Sequence, residues 1–215
     1  MIKKEILLLG KAKNGFISTL VLMLAFIFIF HYSLEKSIKL DSISLIGLKW
    51  SIVFILSFVY ISQSLWEERE NGADKINRIY LPVWISYLIK SFTIFIALIG
   101  LEFILILFFY FFYESFVITS DTIFGQFVFL IPGTLTLSFL GIALNQISHA
   151  TRLKEIILPM LLIPISLPVM VFGMEAERKF FIEGFSINSL LLMLSFSILY
   201  GTLGVLLYEF GESEL

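Results

Sequence analysis

Charged side chains are scarce in this chain, so the places where they gather are where chemistry is available. Of its 215 residues, 15% are charged and 59% are hydrophobic. The densest polar stretch runs from Trp66 to Lys90 and reads WEERENGADKINRIYLPVWISYLIK. It holds Glu67, Glu68, Arg69, Glu70, Asp74, Lys75, Arg78 and Lys90, with no cysteine or histidine among them. Among them Glu67, Glu68 and Glu70 suit electrostatic docking on a basic groove of a partner rather than bond-breaking chemistry; a hydrated acidic turn is the alternative. Asn71 is suited to cap a helix, with Asp74 three residues on near the positive helix end. Gly72 permits a turn that a side chain would hinder. Ala73, Ile76, Tyr80 and Val83 then recur at helical spacing, with Trp84 and Tyr87 beside that stripe and Lys75 and Arg78 on the other face. Pro82 cannot continue this helix but is suited to start the next. The expectation is a short amphipathic helix of about two turns, a bend at Leu81-Pro82, and an elbow rising into the following apolar segment. A solvated loop on the lipid headgroups is the competing reading.

Outside this handle the candidates are few. Glu102 lies in the middle of an apolar run, where a carboxylate is costly and is a functional candidate by default. The alternatives are a protonated carboxyl, or a short helix, broken at the nearby Gly100, that brings it toward an interface. His31 closes the first apolar run, where a lone histidine reads as amphipathic and interfacial. His149 reads as solvated. Trp50, Trp66 and Trp84 are scattered along the chain. There are no cysteines, which removes disulfides, thiolate metal sites and cysteine nucleophiles. Gly10-Lys11 lacks the upstream glycine and following hydroxyl of a phosphate-cradling loop, so ATP, if used, is bound by another chain. No nucleophile, metal set or paired carboxylates suggest an enzyme. The net charge of −2 and the dispersed basic residues give no case for nucleic acid.

The elements that must position these residues are membrane helices. Mean hydropathy is +0.98, and a soluble domain carries about a quarter charged residues. The expected fold is an all-α integral membrane domain over 1–215, with six transmembrane helices near 15–34, 43–65, 88–112, 127–145, 156–172 and 189–210. The basic start and first apolar run lack a small-x-small cleavage site, so the first helix is expected to stay uncleaved. Each span approaches the roughly 20 residues that cross a bilayer, the fifth only marginally. That fifth span contains Pro159, Pro164 and Pro168, whose irregular backbone must be buried in protein or line a cavity. Residues 173–188 are expected to form a charged loop. With the N-terminus inside, the inner segments carry ten basic residues, Lys90 among them, and the outer ones five: Lys36, Lys39, Lys49, Arg178 and Lys179. Both termini and the handle are therefore expected in the cytoplasm.

Six helices with a charged handle between the second and third resemble ABC-2-type permease subunits, on Glu67-x-x-Glu70-Asn71-Gly72, Pro82 and Lys90. The second half is more specific. Gly133-Thr134, Leu137-Ser138, Leu140-Gly141 and Ala143, followed by Pro159, Pro164, Pro168 and Phe172-Gly173, resemble the CcmB family, the permease subunits of cytochrome c maturation. The chain departs from that family's pattern at Ser148-His149-Ala150-Thr151-Arg152, where a Gly/Arg-rich turn is usual. The resemblance implies a bacterial inner-membrane permease whose handle is a coupling helix docking on a separate, CcmA-like ATPase that binds ATP and Mg. It implies a CcmC-like haem-handling subunit, a small CcmD-like helper and a haem chaperone; six helices are half of a usual transporter, so pairing with a second copy or with a related permease is expected. Haem is then a candidate cargo, with His31 at the end of the first apolar run as a candidate contact; an equally consistent role is to transmit ATP-driven motion that releases the loaded chaperone, and no cofactor is expected to be bound by this chain. Two other readings stay open: an ABC-2 permease for another apolar cargo such as a lipid or drug, and a non-transporting membrane scaffold.

Overall fold

Long apolar runs leave the backbone no partner but itself, and the chain answers with helices. The structure, a computed structural model, describes residues 13–34, 41–70, 82–114, 116, 120–149 and 154–213. It contains α1 (Lys13–Leu34), α2 (Ser42–Glu70), α3 (Val83–Phe112), α4 (Ser120–His149), α5 (Lys154–Glu183) and α6 (Ile187–Ser213). All six contain a stretch long and apolar enough to cross a membrane. In a bilayer every backbone polar group must be satisfied internally, which helices do. The six expected spans are therefore present, and four of their ends lie five or more residues from expectation.

α2 runs five residues past the expected end, so Glu67–Glu70 form its last turn. α3 begins at Val83, so Val83–Lys90 belongs to that helix and not to a polar handle. Pro82 occupies its N-cap at φ −55° and ψ 143°, one position ahead of the expected first helical residue. Gly100 does not break α3, which is one helix of 30 residues, about 45 Å. α4 starts at Ser120 and takes in Gln126, which is buried. The largest correction is in α5. It continues to Glu183, so most of the expected loop at 173–188 is helix, and the chain turns into α6 through residues 184–186. Gly184 makes that turn at φ 92°, a left-handed conformation that suits glycine. Its amide donates to the Phe180 carbonyl at 3.0 Å, closing the end of α5.

α4 is the central helix and is largely buried, while α1 and α6 expose most of their length. The core has two main parts. Toward the end of the bundle holding the 35–41 and 184–186 connections, Trp50, Phe109, Phe129, Val169 and Met193 pack together. Toward the end holding the 71–81 connection, the handle end, Tyr60, Tyr87, Leu98, Phe139 and Tyr208 do the same. Hydroxyls tie the helices between these layers. Ser197 of α6 and Thr136 of α4 both reach the Pro132 carbonyl at 2.8 Å, and Tyr200 donates to the Ile165 carbonyl at 3.1 Å.

Proline does not interrupt α5, in which Pro159, Pro164 and Pro168 all lie. Pro164 is exposed and Pro168 half-buried. Within this segment Ser166 returns its hydroxyl to the Leu162 carbonyl at 2.6 Å, and Tyr200 serves the Ile165 carbonyl from the neighbouring helix.

Candidate functional site

Three charged side chains are enclosed in the half of the bundle away from the handle. Lys49 and Trp50 are consecutive residues of α2, and both point at one carboxylate, Glu177 of α5. The Lys49 ammonium pairs with Glu177 Oε1, and the Trp50 indole Nε1–H donates to Glu177 Oε2 at 2.7 Å. All three residues are 0% exposed. Both carboxylate oxygens are thus served, which is the condition under which a buried ion pair is tolerable. Glu102 of α3 is also buried and accepts a hydrogen bond from the Thr134 hydroxyl of α4. Its second oxygen, Oε2, has no hydrogen-bond partner among the described residues. Lys49 is near enough to Glu102 to act on it electrostatically. One cation and two carboxyl groups from α2, α3 and α5 therefore share one apolar surround.

The Trp50 ring is held by a slot without side chains. A Cβ at Gly133 of α4 would lie 2.7 Å from Trp50 Cη2, and one at Gly173 of α5 would overlap the same ring. Small residues allow such close approach between membrane helices, where packing supplies the attraction. Gly133 thus has a defined role, to admit Trp50.

The remaining expected site residues fall elsewhere. Glu67, Glu68 and Glu70 lie in the last turn of α2, at the handle end. Asn71, Gly72, Ala73, Ile76 and Tyr80, and with them the expected coupling helix, lie outside the described residues. His31, in the last turn of α1, packs edge-on against Phe112 at 5.3 Å and Tyr113 at 5.7 Å. Lys90, counted with the polar handle, is buried in α3. Lys49, counted as an outer basic residue, is the buried partner of Glu177. Among the described residues no three His, Asp or Glu side chains gather as metal ligands would.

Sequence reasoning missed the Lys49–Trp50–Glu177 group. Its one signal was Lys49 itself, flanked by Leu45, Ile46, Leu48 and Ile52 within an apolar run. At the start of α2, Asp41 accepts hydrogen bonds from the Ser44 side chain and, at 3.0 Å, from its backbone amide. These hold its carboxyl below the usual aspartate range.

Six apolar helices closed around an internal charge cluster define a multi-pass, all-α membrane protein. The chain belongs to the CcmB protein family, whose model matches residues 1–213. No curated protein and no solved structure matches it.

Proposed function

We propose that this chain is the membrane permease subunit of an ABC-type complex that exports or delivers haem for c-type cytochrome biogenesis. The family match over residues 1–213 carries this reading. Hydrolysis takes place on a separate CcmA-like ATPase, which binds ATP and Mg and docks on the handle around Glu67, Glu68, Glu70 and Gly72. A CcmC-like haem-handling subunit, a CcmD-like helper and a haem chaperone complete the assembly, and two copies of the permease pair within it. The distribution of Lys and Arg supports an inner-membrane protein with both termini and the handle in the cytoplasm. Lys49 and Lys90 are buried in helices and drop out of that count, which leaves nine inner against four outer basic residues.

The test is to purify the tagged protein in mild detergent and identify what accompanies it, together with the c-type cytochrome content of a deletion strain. An ABC ATPase with cytochrome c maturation subunits, and loss of c-type cytochromes on deletion, is the expected result. An ATPase alone with normal cytochromes overturns the haem assignment in favour of another apolar cargo. Absence of any ATPase overturns the transporter reading. Reversing the charge at Glu70, or inserting a residue beside Gly72, should uncouple ATP hydrolysis from cytochrome maturation in a folded protein.

A further inference from the structure

α2 is both the rod that leaves the handle and the helix that carries Lys49 and Trp50. From Trp50 to Glu67 it contains neither glycine nor proline, the usual causes of a sharp helix bend. A displacement applied at Glu67–Glu70 therefore arrives at Trp50, about 25 Å away, without being absorbed on the way. There α2 grips a single residue of another helix by two bonds, one ionic and one from the indole, while the ring sits against Gly173 of that same helix. α5 is built differently. Pro164 and Pro168 lie between its handle-end half and the half that carries Gly173 and Glu177. Proline removes the intrahelical bond at each of these points, so α5 is softest there.

We infer that Lys49, Trp50 and Glu177 form the contact through which motion of the handle passes from α2 to the far half of α5, which swings about Pro164–Pro168. These are positioning residues, enclosed between the helices. The inference rests on the proposed coupling to an ATPase. It adds that α2 and the far half of α5 move as one body, and that the α5–α6 turn at residues 184–186 moves with them. That turn is short and closed by the hydrogen bond from the Gly184 amide to the Phe180 carbonyl, so α6 is drawn along at its start.

The chain has no cysteine, so pairs of spin labels can be introduced without removing any native thiol. Ile43, Met160 and Ile182 are exposed on α2, the handle-end half of α5 and the far half of α5. Distances between labels at positions 43 and 182, and at 160 and 182, are measured by pulsed electron resonance in the complete, ATPase-bound complex with and without ATP. The expected result is an unchanged 43–182 distance and an altered 160–182 distance. A changed 43–182 distance, or a fixed 160–182 distance during hydrolysis, overturns the inference and leaves the proposed function standing. Absence of an ATPase from the wild-type complex overturns the proposed function, and this inference with it. The K49M/E177Q double variant supplies the functional readout, because it removes both charges and leaves neither unpaired. Membrane content and ATPase binding should match wild type, while c-type cytochrome yield per ATP hydrolysed falls roughly 5- to 150-fold, the span of typical coupling energies. A yield equal to wild type in that variant overturns the inference.

Discussion

Replacing a glycine by alanine is the same chemical change at every position, yet the structure assigns it opposite signs in different parts of this bundle. Gly47 and Gly100 lie inside helices with nothing within 4 Å of an added Cβ. Alanine there should stabilise by about 0.5–1 kcal/mol, the helix-propensity difference alone. Gly173 faces the Trp50 indole, with a Cβ falling 2.6 and 2.8 Å from two of its ring carbons and overlapping a third. The ring is not free to retreat, because its Nε1–H is fixed on Glu177 at 2.7 Å and Gly133 closes the slot from α4. Overpacking of this kind costs about 1–3 kcal/mol. After the propensity gain is set against it, Gly173→Ala should destabilise by up to about 2.5 kcal/mol. The measurement is reversible unfolding in mixed micelles followed by circular dichroism, repeated in a Trp50→Leu background. With the indole removed, the penalty at Gly173 should vanish or change sign, giving a coupling energy within the roughly 0.5–3 kcal/mol seen for residues in contact. An equal penalty with and without the indole would refute the slot, as would a loss at Gly47 and Gly100 matching that at Gly173.

Three further outcomes follow from other contacts. Thr134→Val removes the hydroxyl that serves Glu102 and should cost about 1–3 kcal/mol in the same unfolding assay, whereas Thr134→Ser should recover most of it. At the start of α2 the sign of the pH effect is fixed by the direction of the Asp41 shift. Its carboxyl titrates below the usual aspartate value of about 3.9, so its capping contribution is complete above that value and is lost as pH falls through the lower, folded one. Exchange protection of the Ser44 amide should follow that course, and Asp41→Asn should make it independent of pH. Gly184→Ala forces a side chain into the left-handed region at φ 92° and should cost about 1–2 kcal/mol. Asn at the same position should cost less, because its short polar side chain tolerates that region.

The six spans were legible because each rests on a long apolar run, and periodicity is not needed to see one. Their ends are not, because a charged residue in the sequence does not mark where a helix stops. Charge puts Glu177 in the expected loop, whereas α5 runs on to Glu183, 11 residues past Phe172. Nothing local in the sequence pairs Glu177 with Lys49, which lies 128 positions earlier. The Glu102–Thr134 contact was half visible. Each residue was noted on its own merits, Glu102 as an intramembrane carboxylate and Thr134 in the Gly-Thr motif, but their contact is tertiary. Gly133 and Gly173 were likewise noted in separate motifs, and what unites them is an indole supplied by a third helix.

The buried pair cannot be explained by stability alone. Exchanging such a pair for apolar groups of similar size is often neutral or stabilising, while removing one partner typically costs about 3–5 kcal/mol. What the pair supplies is register. The surrounding contacts are between Phe, Ile, Leu and Val, which pack acceptably in more than one relative position of two helices. Lys49 and Trp50, adjacent on α2, meet the two oxygens of a single carboxylate, and only one rotation and height of α2 against α5 allows both bonds together. The K49M/E177Q variant should therefore unfold at least as late as either single variant. The distance distribution between labels at positions 43 and 182 should nevertheless broaden, even without ATP, because α2 is free to settle at more than one height. A distribution as narrow as that of the wild-type chain would show that the apolar contacts set the register by themselves, and the charges would then have to be explained by something other than the alignment of α2 with α5.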